Sequence, residues 1–404
     1  MTNATYRLEV AFDENVAGVF TVDGSALDGT DGLTDVGLFS GTFDDVSSDA
    51  QDPYRVVVGT DNLMSQTQPG NLTVTVSRVD NPSFWNPNNP ASPLNSNVPG
   101  FIPMRPVKLI ATLSGVDYSL FKGFLRHATW NSTTRACELY AEDMLLWASR
   151  VYPTIASTGT ITVGALITLL WSFVDPTVTP ICDVGITLDD FSADGTRSVT
   201  DLMTDVLTVD LGTVYVNGNG VPVYEQHDTA LTRAPAATIA VTSQASEEQS
   251  GIDLDDIFTR ASVEKTDPVT GNIVSTWSAL ADPVFEHRLG RADFPPISSP
   301  YVQDGGALAS ELVTQGLEGK QPLQLTVANI DDTTLLLMLQ SPPLTVFTVT
   351  DAFGGSTGNG IVQQISQTIS VGLHQAEYLM KSRPQTAFTV SGSALDGTDG
   401  LRYP

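Results

Sequence analysis

Four histidines, two cysteines and a few adjacent carboxylates are the residues from which chemistry would have to be built. His127, His227, His287 and His374 lie far apart, and none has a partner at metal-ligand spacing. The zinc-protease helix pattern, the nucleophile elbow and the phosphate-binding loop are missing from the sequence. Cys137 and Cys182 follow no metal spacing either and read as buried apolar thiols. Asp189-Asp190 and Asp255-Asp256 are neighbours in sequence. Neighbours along a strand point to opposite faces, so solvated or capping roles fit them better than an acid–base pair. No catalytic, metal or cofactor-binding residue is assigned, and the chain reads as a protein that is not an enzyme and needs no cofactor.

Two features point to contacts rather than catalysis. Phe20 to Leu33 is repeated near the other end as Phe388 to Leu401, and the two copies differ only at Asp23 versus Ser391. Composition alone does not produce such a match. The aspartates of the first copy, Asp23, Asp28 and Asp31, lack the alternating spacing and closing glutamate of a calcium loop. A short strand followed by glycine turns, able to add to a sheet edge, is the better reading. Phe20, Leu27, Phe388 and Leu395 are then the side chains expected to anchor a contact. Phe84 and Trp85 are the second feature, set in the proline- and asparagine-dense run Asp80 to Leu94. Such rings either stack on a sugar or pin their loop to the barrel or to a neighbouring subunit.

Composition bounds the partners. Charged residues make up only 16% while Thr, Ser, Asn, Gly and Pro are abundant, which favours strands and turns over surface helices. The net charge of −27 argues against a grip on nucleic acid, which needs clustered Lys and Arg at the phosphates. A saline habitat would also explain it. The longest apolar run, Ile161 to Val174, is short of the ~20 residues that span a bilayer, so no membrane role is expected. The first residues, Met-Thr-Asn-Ala-Thr-Tyr, have neither a basic nor an apolar leader region, and folding in a cytoplasm is expected.

The elements follow from periodicity. Leu72, Val74 and Val76 alternate with threonines along a half-buried strand. Strands are expected at 6–13, 19–22, 55–59, 103–113, 118–126 and 135–142, and a short helix follows behind Asp143 as its cap. Helices over Val163 to Phe173 and Val199 to Leu207, the second capped by Ser198, precede a hairpin at Gly212 to Glu225. Strands resume at 256–264 and 273–277 and continue at 323–327, 345–349, 360–370 and 375–381, with helices at 307–315 and 333–339. The fold expected is mainly β with an α+β insertion.

The order of these pieces resembles the hub-type minor tail proteins of long-tailed bacteriophages. The resemblance is carried by Pro69-Gly70, the loop Asn81 to Pro90, Ser92 to Leu94, Met104 to Val107, Leu120 to Gly123, Ala141 with Asp143 to Leu146, and Gly212 to Gly220. It spans roughly residues 38–383 and is weaker over 233–300. It implies two β-barrel-like tail-hub domains, 38–150 and 233–384, flanking a small α/β domain at 151–232. The repeat modules then fall at 1–37 and 385–404. It further implies a homotrimeric ring at the tail tip of the virion, assembled in the host cytoplasm. The implied partners are a distal tail protein, a tape-measure protein, and a central fibre or other tip proteins. Genome DNA passes through the lumen without specific binding. A receptor- or glycan-binding tail protein and a tail-associated cell-wall hydrolase are the alternatives.

Overall fold

Alternation of apolar and polar residues turns into register in the computed structural model. It describes residues 4–13, 42–60, 68–92, 104–241, 245–249, 257–267, 270–281, 283, 286–287, 290–316, 323–350 and 357–382. Seven strands supply the first half of a large sheet: β1 (Thr5–Asp13), β2 (Thr42–Asp45), β3 (Ala50–Gly59), β4 (Asn71–Val76), β5 (Pro106–Leu113), β6 (Val116–Asn131) and β7 (Ala136–Glu142). In β4 the apolar Leu72, Val74 and Val76 are buried while the residues between them stay half-buried, as a period of two requires. The second half comes from Leu323–Ala328, Thr357–Ser370 and Leu373–Ser382, with Ala245–Gln249 at the far edge.

One ladder joins the halves. Thr357–Ser370 pairs antiparallel with β3, from Gln364 opposite Gly59 to Ile369 opposite Tyr54. Beneath the joined sheet lies a single apolar core, in which Leu8, Val56, Leu109 and Leu125 share a cluster with Ile239, Leu325, Phe347 and Met380. The helix Asp332–Gln340 adds Leu335 and Met338 to it, and the Asp331 side chain caps that helix by accepting the Thr334 N–H at 2.7 Å.

β6 is longer than the sequence pattern predicts, because bulges let one strand serve two cores. Register shifts occur at Leu109/Ile110 against β5 and at Leu125/His127 against β7. Leu125 points into the core of the sheet, while its neighbour Phe124 points into a second core on the opposite face. That second core is built on α1 (Met144–Ala148), α2 (Val163–Ser172) and α3 (Val199–Asp210), around Trp171, Leu166 and Val206. The capping box of Ser198 and Asp201 is formed, and α3 continues past Leu207 to end on Leu211 at a φ of 52°.

A third core holds a smaller sheet of Arg260–Thr266, Ile273–Leu280 and Ile297–Ser299, covered on one face by the helix Gly305–Gly316. The strand expected at 256–264 runs over Arg260–Thr266, while the strand expected at 273–277 and the helix expected at 307–315 are each extended by a few residues. No helix among the described residues is long and apolar enough to cross a membrane.

Candidate assembly surfaces

Phe84 and Trp85 sit at the centre of a pinned loop. Successive turns, Phe84 N–H to Asn81 O (2.9 Å), Asn86 to Ser83 (3.1 Å) and Asn89 to Asn86 (2.9 Å), give the proline-rich run its shape. Trp85 is 1% exposed and donates its indole N–H to Asp49 Oδ2 at 3.0 Å. Arg78 holds the same carboxylate with two nitrogens, at 3.0 Å and 2.7 Å from Oδ2, and its guanidinium lies 3.7 Å from the centre of the Phe84 ring. The carboxylate, the cation and both rings therefore form one satisfied unit beside the large sheet. Trp85 offers no ring face for a sugar, whereas Phe84 stays partly buried at the edge of the core.

Asp143 does more than its predicted capping. Its Oδ1 accepts the Leu145 N–H at 2.9 Å, which caps α1, while its Oδ2 accepts the Gly70 N–H at 2.7 Å. The Asp143 N–H returns a bond to Gly70 O at 2.9 Å, so one residue ties β4 to the first helix of the insertion. Burial pushes its carboxyl up to about 7, against the pull of those two backbone bonds. A Cβ on Gly70 would lie 2.9 Å from Asp143 Oδ2, which explains the glycine at that turn.

The hairpin Thr213–Val216/Pro222–Glu225 fastens three regions together. Val214, Val216 and Tyr224 face the core of the insertion. Tyr215 and Val223, on the other face, pack with Leu344, Val346 and Ile361 beside the large sheet. Its tip departs from the tight Asn-Gly turn the sequence suggests. Asn217 Oδ1 accepts the N–H groups of Asn219 and Val221, and the positive φ (79°) falls on Gly220. Gly218 instead sits where a Cβ would lie 1.8 Å from Ser119 O, so the glycine lets the hairpin tip touch β6.

The histidines remain separate. His374 is fully buried, with Nδ1 2.8 Å from Tyr6 Oη and Nε2 3.2 Å from Gln367 Oε1. The tautomer that satisfies both places the proton on Nε2, donating to Gln367, and lets Tyr6 donate to Nδ1. Burial lowers the imidazole pKa to about 4 and raises that of the Tyr6 phenol. His127 stacks on Tyr140 with centroids 4.8 Å apart. Cys137 is buried and Cys182 partly buried, both free thiols. Asp190 accepts from Ser157 Oγ (2.8 Å) and the Gly159 N–H (3.1 Å), a structural role. Among the described residues no three His, Cys, Asp or Glu side chains gather as a metal site. A cleft of about 400 Å³ lies between the insertion and the helix Gly305–Gly316, lined by Val209, Leu211, Leu308, Gln303, Asp304 and Glu311 among others.

Phe20, Leu27, Phe388 and Leu395, with both copies of the repeat, lie outside the described residues, as do Asp255 and Asp256. Of the expected contact residues only Phe84 and Trp85 are described, and their rings pack edge to face with centroids 5.5 Å apart. The strand expected at 273–277 forms, and what the periodicity did not single out is its exposed outer face, with Val274 (62%) and Leu280 (62%). The signal was present in its run of eight uncharged residues.

No protein-family model and no curated protein matches the sequence. Among solved structures, the chain is similar to the 43 kDa tail protein of prophage MuSo2 from Shewanella oneidensis. The TM-score is 0.58 at 9% identity, covering 95% of this chain and 99% of that one. It is also similar to the tail protein from Neisseria meningitidis MC58, with a TM-score of 0.58 at 11% identity over 93% of this chain and 96% of that one. The mainly β architecture, with its insertion between two strand-rich halves, is the fold of these phage tail proteins.

Proposed function

We propose that the chain is a structural component of a phage tail tip, the baseplate hub, with three copies closed into a ring around the DNA exit channel. The observation that carries this reading is the large sheet in the tail-protein fold, assembled from two strand-rich halves on either side of an insertion. Two such halves per copy give a threefold ring six strand-rich units, which adapts a hexameric tube to threefold components. A distal tail protein above, a tape-measure protein inside and a central fibre or other tip protein below are the partners of this arrangement. The lumen of this arrangement is acidic or neutral, because a continuous positive wall is hard to assemble from 19 basic residues against 46 acidic ones. Glycan binding through Trp85 is disfavoured by the burial of its ring.

Native mass spectrometry and electron images of the purified chain test the reading. A trimer with a central channel is the expected result. A stable monomer within the assembled tail, or a ring of six copies, overturns it.

A further inference from the structure

We propose that the C-terminal copy of the repeat, through Gln385 to Leu395, adds as a strand to the open edge of Ile273–Leu280. This goes beyond the hub reading and does not depend on it.

The edge is open. Among the described residues Ile273–Leu280 pairs only with Arg260–Thr266, from Arg260 opposite Leu280 to Thr266 opposite Ile273, and it ends its sheet. Its inner face is spoken for, since Trp277 and Ala279 pack in the third core under the helix Gly305–Gly316. Its outer face exposes Val274, Thr276, Ser278 and Leu280, and Ile273 is exposed at its start.

Sheet edges are normally guarded against stray pairing by charge, proline, a bulge or short length. The other edges among the described residues are short, at five residues or fewer, and some also carry charge. β2 carries Asp44 and Asp45, Ala245–Gln249 carries Glu247 and Glu248, and Ile297–Ser299 is three residues long. Ile273–Leu280 reads Ile-Val-Ser-Thr-Trp-Ser-Ala-Leu, with no charge, proline or glycine over eight residues. An unguarded edge in a chain of net charge −27 is a place prepared for an uncharged strand.

The sequence supplies one. Gln385 to Leu395 has no charged residue and no proline, and it is strand-like through Phe388, Thr389 and Val390. As an added strand it puts Phe388 and Val390 on one face, continuing the exposed row of Val274 and Leu280. Gly392 then lets the chain turn away into the aspartate-rich remainder. The N-terminal copy is the poorer candidate. It lies between β1 and β2, which pair with each other at Asp13 and Thr42, so both of its ends are held at the far edge of the large sheet. The C-terminal copy follows the strand Leu373–Ser382 in sequence and is not enclosed between two paired strands.

Hydrogen exchange on the full-length chain tests the assignment. Val390→Pro removes a donor from the middle of the added strand without touching the folded sheet. Amides of Ile273–Leu280 are expected to exchange about ten-fold faster or more in Val390→Pro than in the unaltered protein. A synthetic peptide of residues 385–395 should restore protection to the variant, and the same peptide carrying the proline should not. Phe388→Asp provides a second variant with the same expected loss. Protection independent of protein concentration places the strand within one chain, and protection that grows with concentration places it between copies; both support the assignment. Equal exchange in the three proteins overturns it. So does protection that rises with concentration yet ignores both variants, which gives the edge to a second copy of Ile273–Leu280.

Discussion

Two hairpins built on apolar strands have opposite fates in this chain. Thr213–Val216/Pro222–Glu225 is covered on both faces, by the core of the insertion on one side and by Leu344, Val346 and Ile361 on the other. Among the described residues, Arg260–Thr266/Ile273–Leu280 is covered on one face by a helix and left open on the other face and along one edge. Apolar alternation is thus satisfied inside the chain in one case and left unsatisfied in the other. The first hairpin holds the subunit together, and the second is available to whatever lies outside the folded body. The comparison makes a general point about strand-rich assembly proteins. The pattern of a strand says that a face will be covered, and only its neighbours in space say by what.

The largest effects should fall on the first hairpin. Tyr215→Ala removes a ring that is 4% exposed and is expected to cost about 3–5 kcal/mol in urea unfolding. Leu280→Ala, at 62% exposure on the second hairpin, should stay within about 0.5 kcal/mol. Similar losses for the two would break the comparison. The inner face of the second hairpin gives a control. A Cβ on Gly305 would lie 2.3 Å from the Trp277 ring, so Gly305→Ala is expected to cost about 1–3 kcal/mol.

Next in size is a pH effect within the large sheet. The folded-state pKa of His374 is depressed from 6.5 to about 4 by burial. Its contribution is therefore present above pH 6.5 and is lost as pH falls towards 4, by about 3 kcal/mol at 1.36 kcal/mol per unit. Asp143 has the opposite sign: its carboxyl is raised to about 7, so its contribution is full below about 4 and is lost as pH rises through 7. The two oppose each other in the total profile, and only a difference separates them. His374→Gln should be less stable than the unaltered chain at pH 7, and the gap should narrow by about 3 kcal/mol by pH 4. Parallel profiles would mean that the imidazole titrates alike in the folded and unfolded chain, so that burial does not depress it.

Much of the frame was legible in the sequence because it rests on local rules. The alternation in β4, the Ser198–Asp201 capping box and the Asp143 cap each need only a few consecutive residues. What was not legible depends on residues far apart in the chain. Trp85 reads as a ring in a surface loop, yet Asp49, 36 positions earlier, receives its N–H and buries it. Asp143 reads as a cap, and its second bond to Gly70 spans 73 positions. The ladder joining the halves pairs Tyr54 with Ile369, and no pattern within either strand names the other. The opening at Ile273–Leu280 was hidden for the same reason: a strand does not announce whether it ends a sheet.

The smallest expected effect on stability is the most telling for assembly. Val274 and Leu280 point outward from an edge that carries no charge, so Val274→Lys and Leu280→Lys together remove no core contact and should shift unfolding by about 0.5 kcal/mol or less. Association is a different matter, since lysine is the residue that most often guards a strand edge. Deleting residues 385–404 should leave the subunit folded, because the described sheet closes with Leu373–Ser382 before the deletion begins. It would also leave the edge uncovered, so the truncated chain should self-associate more strongly than the full chain in sedimentation velocity. Adding the two lysines to the truncated chain should reverse that gain, while adding them to β2, already acidic at Asp44 and Asp45, should not. If truncation leaves self-association unchanged, or the lysines on β2 work as well, the open edge is not what distinguishes the two hairpins. The contrast between them would then be one of burial alone.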